Sequence, residues 1–193
     1  TLSLHDALPI CLGITGARRT KIQARKLLMS TMLVASASVH AATLSGTVVG
    51  VSDGDTITVL DANREQHKIR VAGIDAPEKA QPFGQRSKGS LSMLVFGKDV
   101  DVQWSKRDRY RRIVGKVLVT DPTCQRQCPK TLDAGLAQVT AGLAWWYRKY
   151  AKEQSAEDAQ RYELAEQEAR SHRAGLWSDG QPMPPWDWRK AAR

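Results

Sequence analysis

The sequence predicts an α+β fold that is mainly β: a five-stranded barrel with three α-helices. Three observations carry this. Short β-rich segments come in two runs, three before residue 73 and two after residue 99. A stretch with helical apolar rhythm separates the runs, and two more follow them. Turn residues punctuate the chain where one pattern gives way to the next.

Residues 44–51 alternate and are rich in Val, and Asp53-Gly54 reads as a tight turn. Residues 56–60 continue as a second strand, Asp61-Ala62-Asn63 is a second turn, and residues 66–72 form the third strand. Gly73 marks a break or bulge, and Pro77 ends regular pairing. Residues 81–96 carry Ser87, Leu91, Leu94 and Val95 at helical spacing and close on Gly97. Residues 100–104 and 113–119 read as strands, joined by the basic hairpin K-R-D-R-Y-R-R at 106–112. A helix over 131–141 turns Leu132, Leu136 and Val139 inward and stops at Gly142. Ser155 and Asp158 resemble a capping box opening a charged helix that runs to Ala174 and ends at Gly175. Leu176-Trp177 then packs back. This order suggests an OB-type barrel. The tail from Pro182 is Pro- and Trp-rich without periodicity.

The chain has 193 residues and a formal net charge of +9. A basic balance favours polyanionic partners, nucleic acid or an anionic membrane surface. No apolar run in the body of the chain reaches the length of a bilayer span, and no basic amphipathic helix suggests a membrane-surface protein. Residues 1–10 read as the translation of a sequencing-library adapter and are set aside from fold reasoning. Arg18, Arg19, Lys21, Arg25 and Lys26 then precede an apolar stretch ending in Val39-His40-Ala41, the pattern of a secretory signal cleaved after Ala41. The remainder would keep 24 basic against 19 acidic residues, a net charge of +5. The expected organisation is therefore 1–41 leader, 42–180 domain and 181–193 tail, in a secreted or periplasmic protein. Cys11 lies in the leader. Cys124 and Cys128 have no further Cys or His close by in sequence to complete a metal site, and an oxidising compartment favours a disulfide between them.

The chemistry-bearing stretch is D-G-D-T at 53–56 followed by R-V-A-G-I-D-A-P-E at 70–78. It gathers Asp55, Arg70, Asp75 and Glu78 within 24 residues. A hard divalent cation takes carboxylate oxygens, and a phosphate takes the guanidinium fork. Arg70 and Asp75 have opposite parity on a regular strand, so the break at Gly73 is needed to aim both at one site. Asp53 is expected to form the turn or support Asp55, with direct ligation as the alternative. Trp145 and Trp146 are expected to pack, with base stacking as the alternative.

V-S-D-G-D-T-I at 51–57, I-R-V-A-G-I-D-A-P-E at 69–78, D-R-Y-R-R at 108–112, A-G-L-A at 141–144 and A-G-L-W at 174–177 together resemble the thermonuclease, or staphylococcal-nuclease-like, family. The resemblance implies an OB barrel with three helices and a calcium-dependent nuclease acting on DNA and RNA, which leaves 3′-phosphate ends. It implies that Asp55, Asp75 and the backbone carbonyl of Ala76 hold Ca2+. Arg70 and Arg112 would bind the scissile phosphate, and Glu78 would activate or orient the attacking water. Arg109 and Tyr110 would lie beside the nucleotide phosphate, as would Tyr147 or Tyr150. A monomer with no protein partner is expected. The competing reading from another class is a non-catalytic OB-type nucleic-acid-binding module.

Overall fold

The computed structural model describes residues 42–192, so the adapter-like segment, the leader and Cys11 lie outside the described residues. Strand β1 (Ala42–Val51) pairs antiparallel with β2 (Thr56–Asp61) and β5 (Asp99–Arg107), and β2 pairs with β3 (Gln66–Val71). β6 (Ile113–Thr120) pairs with β5 on one side and, in parallel, with β3 on the other. That last pairing closes five strands into a barrel, the arrangement expected from sequence, and leaves the later half of β6 with an edge to pair elsewhere. β6 shows why these residues make a wall. Ile113, Gly115, Val117 and Val119 are buried and alternate with half-buried neighbours. Val48, Ile57, Val59, Ile69, Val71, Val100 and Val102 fill the rest of the interior.

Helix α1 (Gly84–Val95) covers the barrel with Ser87, Leu91 and Val95, one turn apart on a single face. It starts three residues later than expected. Gln81 and Pro82 belong to a turn in which the Gln81 amide donates to the Glu78 carbonyl, and Phe83 sits at φ 67° as the helix cap. The 131–141 helix needs a larger correction. Lys130–Asp133 is a strand, β7, paired with β6, and α2 spans only Ala134–Thr140. Asp133 caps α2 by accepting from the amides of Gly135 and Leu136 at 2.9 and 3.2 Å.

A two-residue strand β4 (Ile74–Asp75) pairs with β8 (Trp145–Trp146). Helix α3 (Ala156–Ser171) begins at Ser155, whose hydroxyl accepts from the Asp158 amide, and ends before Ala174 because Arg173 turns to φ 52°. The tail is not irregular: Pro185–Ala191 forms a fourth helix, α4, with Pro at its first position. Cys124 and Cys128 are joined in a disulfide on the β6–β7 connection, their Cα atoms 6.3 Å apart.

Candidate active site

Three local devices aim the side chains. The first is the turn between β1 and β2. The Asp53 carboxylate accepts from the Asp55 amide at 3.0 Å, and buried Gln138 of α2 donates to the Gly54 carbonyl at 3.1 Å. A Cβ on Gly54 would collide with the Ser87 hydroxyl, so glycine permits α1 to press on the turn. The second is Gly73, at φ 77°, which breaks β3 from β4 as its sequence position predicts. The third is the parallel β3–β6 pairing. Ile69 faces Ile113, so Arg112 arrives beside the strand that carries Arg70.

Asp55 and Asp75 are both buried, at 3% and 0% exposure. Arg70 bridges them, with Nη1 donating to Asp55 Oδ1 at 2.5 Å and Nη2 to Asp75 Oδ1 at 2.9 Å. Burial opposes the charge of Arg70, but the two carboxylates outweigh it and hold the guanidinium protonated well above its ordinary range. Asp55 Oδ2 accepts from the Ala76 amide at 3.0 Å. Burial, reinforced by the Asp55 charge, pushes the Asp53 carboxyl up to about 6. Its contact is with the Asp55 backbone, as a supporting residue would make.

Glu78 follows β4 on a tight loop, its amide donating to Gln81 Oε1 at 3.1 Å. Gly84 lets this loop pass, since a Cβ there would meet the Glu78 carbonyl oxygen inside contact distance. Gly84→Ala is therefore expected to destabilise the protein by about 1–3 kcal/mol, the usual cost of overpacking, and to displace Glu78. Urea denaturation together with turnover checks this; unchanged values for both would show that the loop yields freely.

Arg112 is anchored by Asp108, its Nε donating at 2.8 Å, while Nη1 reaches Thr56 Oγ1 at 3.4 Å. Asp108 also accepts from the amides of Tyr110 and Arg112, which sets the hairpin tip. Burial acts against the Asp108 charge, yet the Arg112 hydrogen bonds hold its carboxyl below the usual range. Arg109 lies over the Tyr110 ring, 4.8 Å from its centroid, and Arg112 lies 5.4 Å from the same centroid. Tyr147 hangs from the Gly73 carbonyl through its amide, and its ring meets that of Tyr150 edge-on at 5.1 Å. Trp145 and Trp146 are buried. Buried Glu166 accepts from the Trp146 amide and from Arg148, which steadies the segment bearing Tyr147.

Asp55, Arg70, Glu78, Arg112, Tyr110 and Tyr147 line one cleft of about 770 Å³, which also includes Trp186 and Arg189, while Asp75 is fully buried behind it. Trp186 and Arg189 were not anticipated. Trp186 stacks on Tyr147, centroids 5.4 Å apart and planes 13° from parallel. Arg189 donates to Asp75 Oδ2 at 2.6 Å, to Asp75 Oδ1 at 3.2 Å and to Glu78 Oε1 at 2.8 Å. These pairs hold the Arg189 guanidinium above its ordinary range against partial burial. A signal for α4 did exist. P-P-W-D-W-R-K places Pro at the helix start, acid in the first turn and base in the last.

The donor set suits a hard cation. Asp55 and Asp75 offer carboxylate oxygens, buried beside one another and shared by one guanidinium. A separate acidic group, Asp61, Glu65 and His67, lies at the far end of β2. Asp61 there accepts from the amides of Asn63 and Glu65 and from His67 Nε2, which explains the group as a turn.

Residues 68–179 match the family model described as Staphylococcal nuclease homologue. This chain belongs to that family. An uncharacterized endonuclease of Escherichia coli is 39% identical over 165 residues, covering 86% of this chain and 97% of that protein. A micrococcal nuclease of Shigella flexneri is 43% identical over 148 residues, covering 77% and 82%. An uncharacterized endonuclease of Haemophilus influenzae is 36% identical, covering 86% of each. The family match contains Arg70, Asp75, Glu78, Arg112, Tyr147 and Tyr150, begins after Asp55, and ends before Trp186 and Arg189.

Proposed function

We propose that this chain is a calcium-dependent nuclease that hydrolyses phosphodiester bonds of DNA and RNA with little sequence specificity, leaving 3′-phosphate ends. Its membership of the family carries the coarse part of that reading, a nuclease. The finer part is supported by one observation above all: Asp55, Arg70, Glu78 and Arg112 line one cleft beside exposed Tyr110, and Arg70 ties buried Asp75 to its wall. Asp55, Asp75 and the Ala76 carbonyl would hold Ca2+, which when bound supplies a Lewis acid at a phosphate oxygen.

The chain's own groups account for the rest. Arg112 offers its remaining donors to a phosphate while Asp108 fixes its direction. Arg70 already serves Asp55 and Asp75, so much of its donor capacity is spent holding those carboxylates. Glu78, 40% exposed at its side chain and paired with Arg189 through Oε1, has its other oxygen to offer water in the cleft. Its work is to orient that water for in-line attack. Arg109, Tyr110, Tyr147 and Tyr150 would contact nucleotide. Phosphate and ring contacts are sequence-tolerant, so weak base preference follows.

No helix among the described residues is long and apolar enough to cross a membrane. The leader-like segment and the paired Cys124 and Cys128 support a secreted or periplasmic location, and the reading is of a monomer.

The test is digestion of single- and double-stranded DNA and of RNA, with calcium and with chelator, followed by end-group analysis. Calcium-dependent cleavage to 3′-phosphate ends is expected. Cleavage that survives chelation would overturn the calcium assignment. Binding without cleavage would favour the nucleic-acid-binding module.

A further inference from the structure

The segment beyond the family match returns to the site. Gln81 Nε2 donates to the Met183 carbonyl at 2.6 Å, and Trp186 stacks on Tyr147 and meets Trp145 edge-on at 5.6 Å. These contacts seat α4. Arg189, about one turn after Trp186, then reaches Asp75 and Glu78, 114 and 111 positions away in sequence. Both oxygens of Asp75 accept from its guanidinium. Asp75 is fully buried, so whatever balances its charge must come from protein or from a bound cation. Asp55, Asp75 and Glu78 bring three negative charges, against which Arg70 sets one positive charge. Arg189 adds a second at the oxygens a divalent cation would need.

We propose that Arg189 is a tethered competitor of the divalent cation for Asp75 and Glu78, so that metal affinity and the seating of α4 are coupled. The inference rests on the metal reading of the site. A guanidinium and a cation cannot both take the same carboxylate lone pairs at contact distance. Cation entry therefore requires Arg189 to give up at least its paired contact with Asp75. Because such linkage is reciprocal, calcium should loosen the end of α4 by the same factor by which Arg189 weakens calcium. Arg189 acts here as a positioning residue: it sets where the carboxylates point and how readily they accept metal.

The experiment is calorimetric titration of the full chain with calcium alone, comparing wild type with Arg189→Gln and Arg189→Lys. Arg189→Gln is expected to bind calcium about 5–150-fold tighter, the usual range of coupling. Lysine keeps the charge but loses the two-pronged fork, so Arg189→Lys should fall between. Tryptic cleavage in α4 of wild type should quicken with calcium. Equal or weaker calcium binding by Arg189→Gln would overturn the competition while leaving the metal site standing. No calcium binding by any of the three proteins would overturn the metal reading, and this inference with it. The Trp186–Tyr147 stack and the Gln81–Met183 bond remain in both variants, so the start of α4 keeps its seat and only its end is expected to loosen; near-ultraviolet circular dichroism checks the start.

Discussion

Arg112→Ala is expected to lower turnover on DNA by about 10²–10³ while the protein stays folded. The reason lies in how Arg112 is held. Its side chain is only 21% exposed, yet among the described residues its hydrogen bonds go to Asp108 and Thr56 at the rim of the barrel. Deleting it breaks one partly exposed ion pair, worth about 1 kcal/mol or less to stability. On the proposed reading, what is lost is a fixed fork of donors for the phosphate on which charge grows. Steady-state turnover at saturating substrate, with far-ultraviolet circular dichroism as the fold control, measures this. Arg109→Ala is the companion: Arg109 lies on the exposed Tyr110 ring and should cost far less. Glu78→Gln should also lose most activity. Near-normal turnover in Arg112→Ala or Glu78→Gln, or an equal loss in Arg109→Ala, would mean the roles are misassigned.

Tyr162→Ala is expected to destabilise the fold by about 3–5 kcal/mol, as truncation of a large buried ring does. Tyr162 is 2% exposed and joins three elements. Its hydroxyl donates to Asp133, at 2.9 Å from each carboxylate oxygen, and Asp133 in turn caps α2 and lies 3.7 Å from Lys116 Nζ. Burial and the neighbouring Asp133 charge push the phenol far above its usual range, so it stays a donor at all ordinary pH. Burial likewise raises Asp133, against its hydrogen bonds. Tyr162→Phe keeps the ring and removes only the donor, at a cost of about 1–3 kcal/mol for an under-satisfied buried group. The two variants separate packing from hydrogen bonding in a urea titration. An Ala variant no less stable than the Phe variant would refute the packing argument. The ring also packs beneath Gly73, 3.1 Å from where a Cβ would stand there, so the Ala variant should loosen the turn that aims Asp75.

The strands of the barrel were legible because alternation and turn chemistry are local. Val117 and Val119 alternate with polar or half-buried neighbours whatever the rest of the chain does. The helix expected over 131–141 shows the limit. Leu132, Leu136 and Val139 recur at helical spacing, but residues 130–133 pair with the open edge of β6, and Asp133 supplies a cap that starts the helix after them. Tertiary pairing overrode periodicity there. The tail failed for a different reason. Seven residues offer too little period to detect, and a helix that short is held by what it packs against.

At the site itself, the sequence alone determined that Asp55, Arg70, Asp75 and Glu78 belong together, and that Gly73 had to break the strand for Arg70 and Asp75 to meet. Backbone parity and the freedom of glycine at positive φ are properties of neighbouring residues, so they can be read along the chain. Only the tertiary structure decided that Gln138 braces the Asp53–Asp55 turn, that Trp186 stacks on Tyr147 and that Arg189 grips Asp75. Those contacts join residues 39 to 114 positions apart, and no local periodicity encodes which distant side chain a closed barrel will bring to a buried carboxylate.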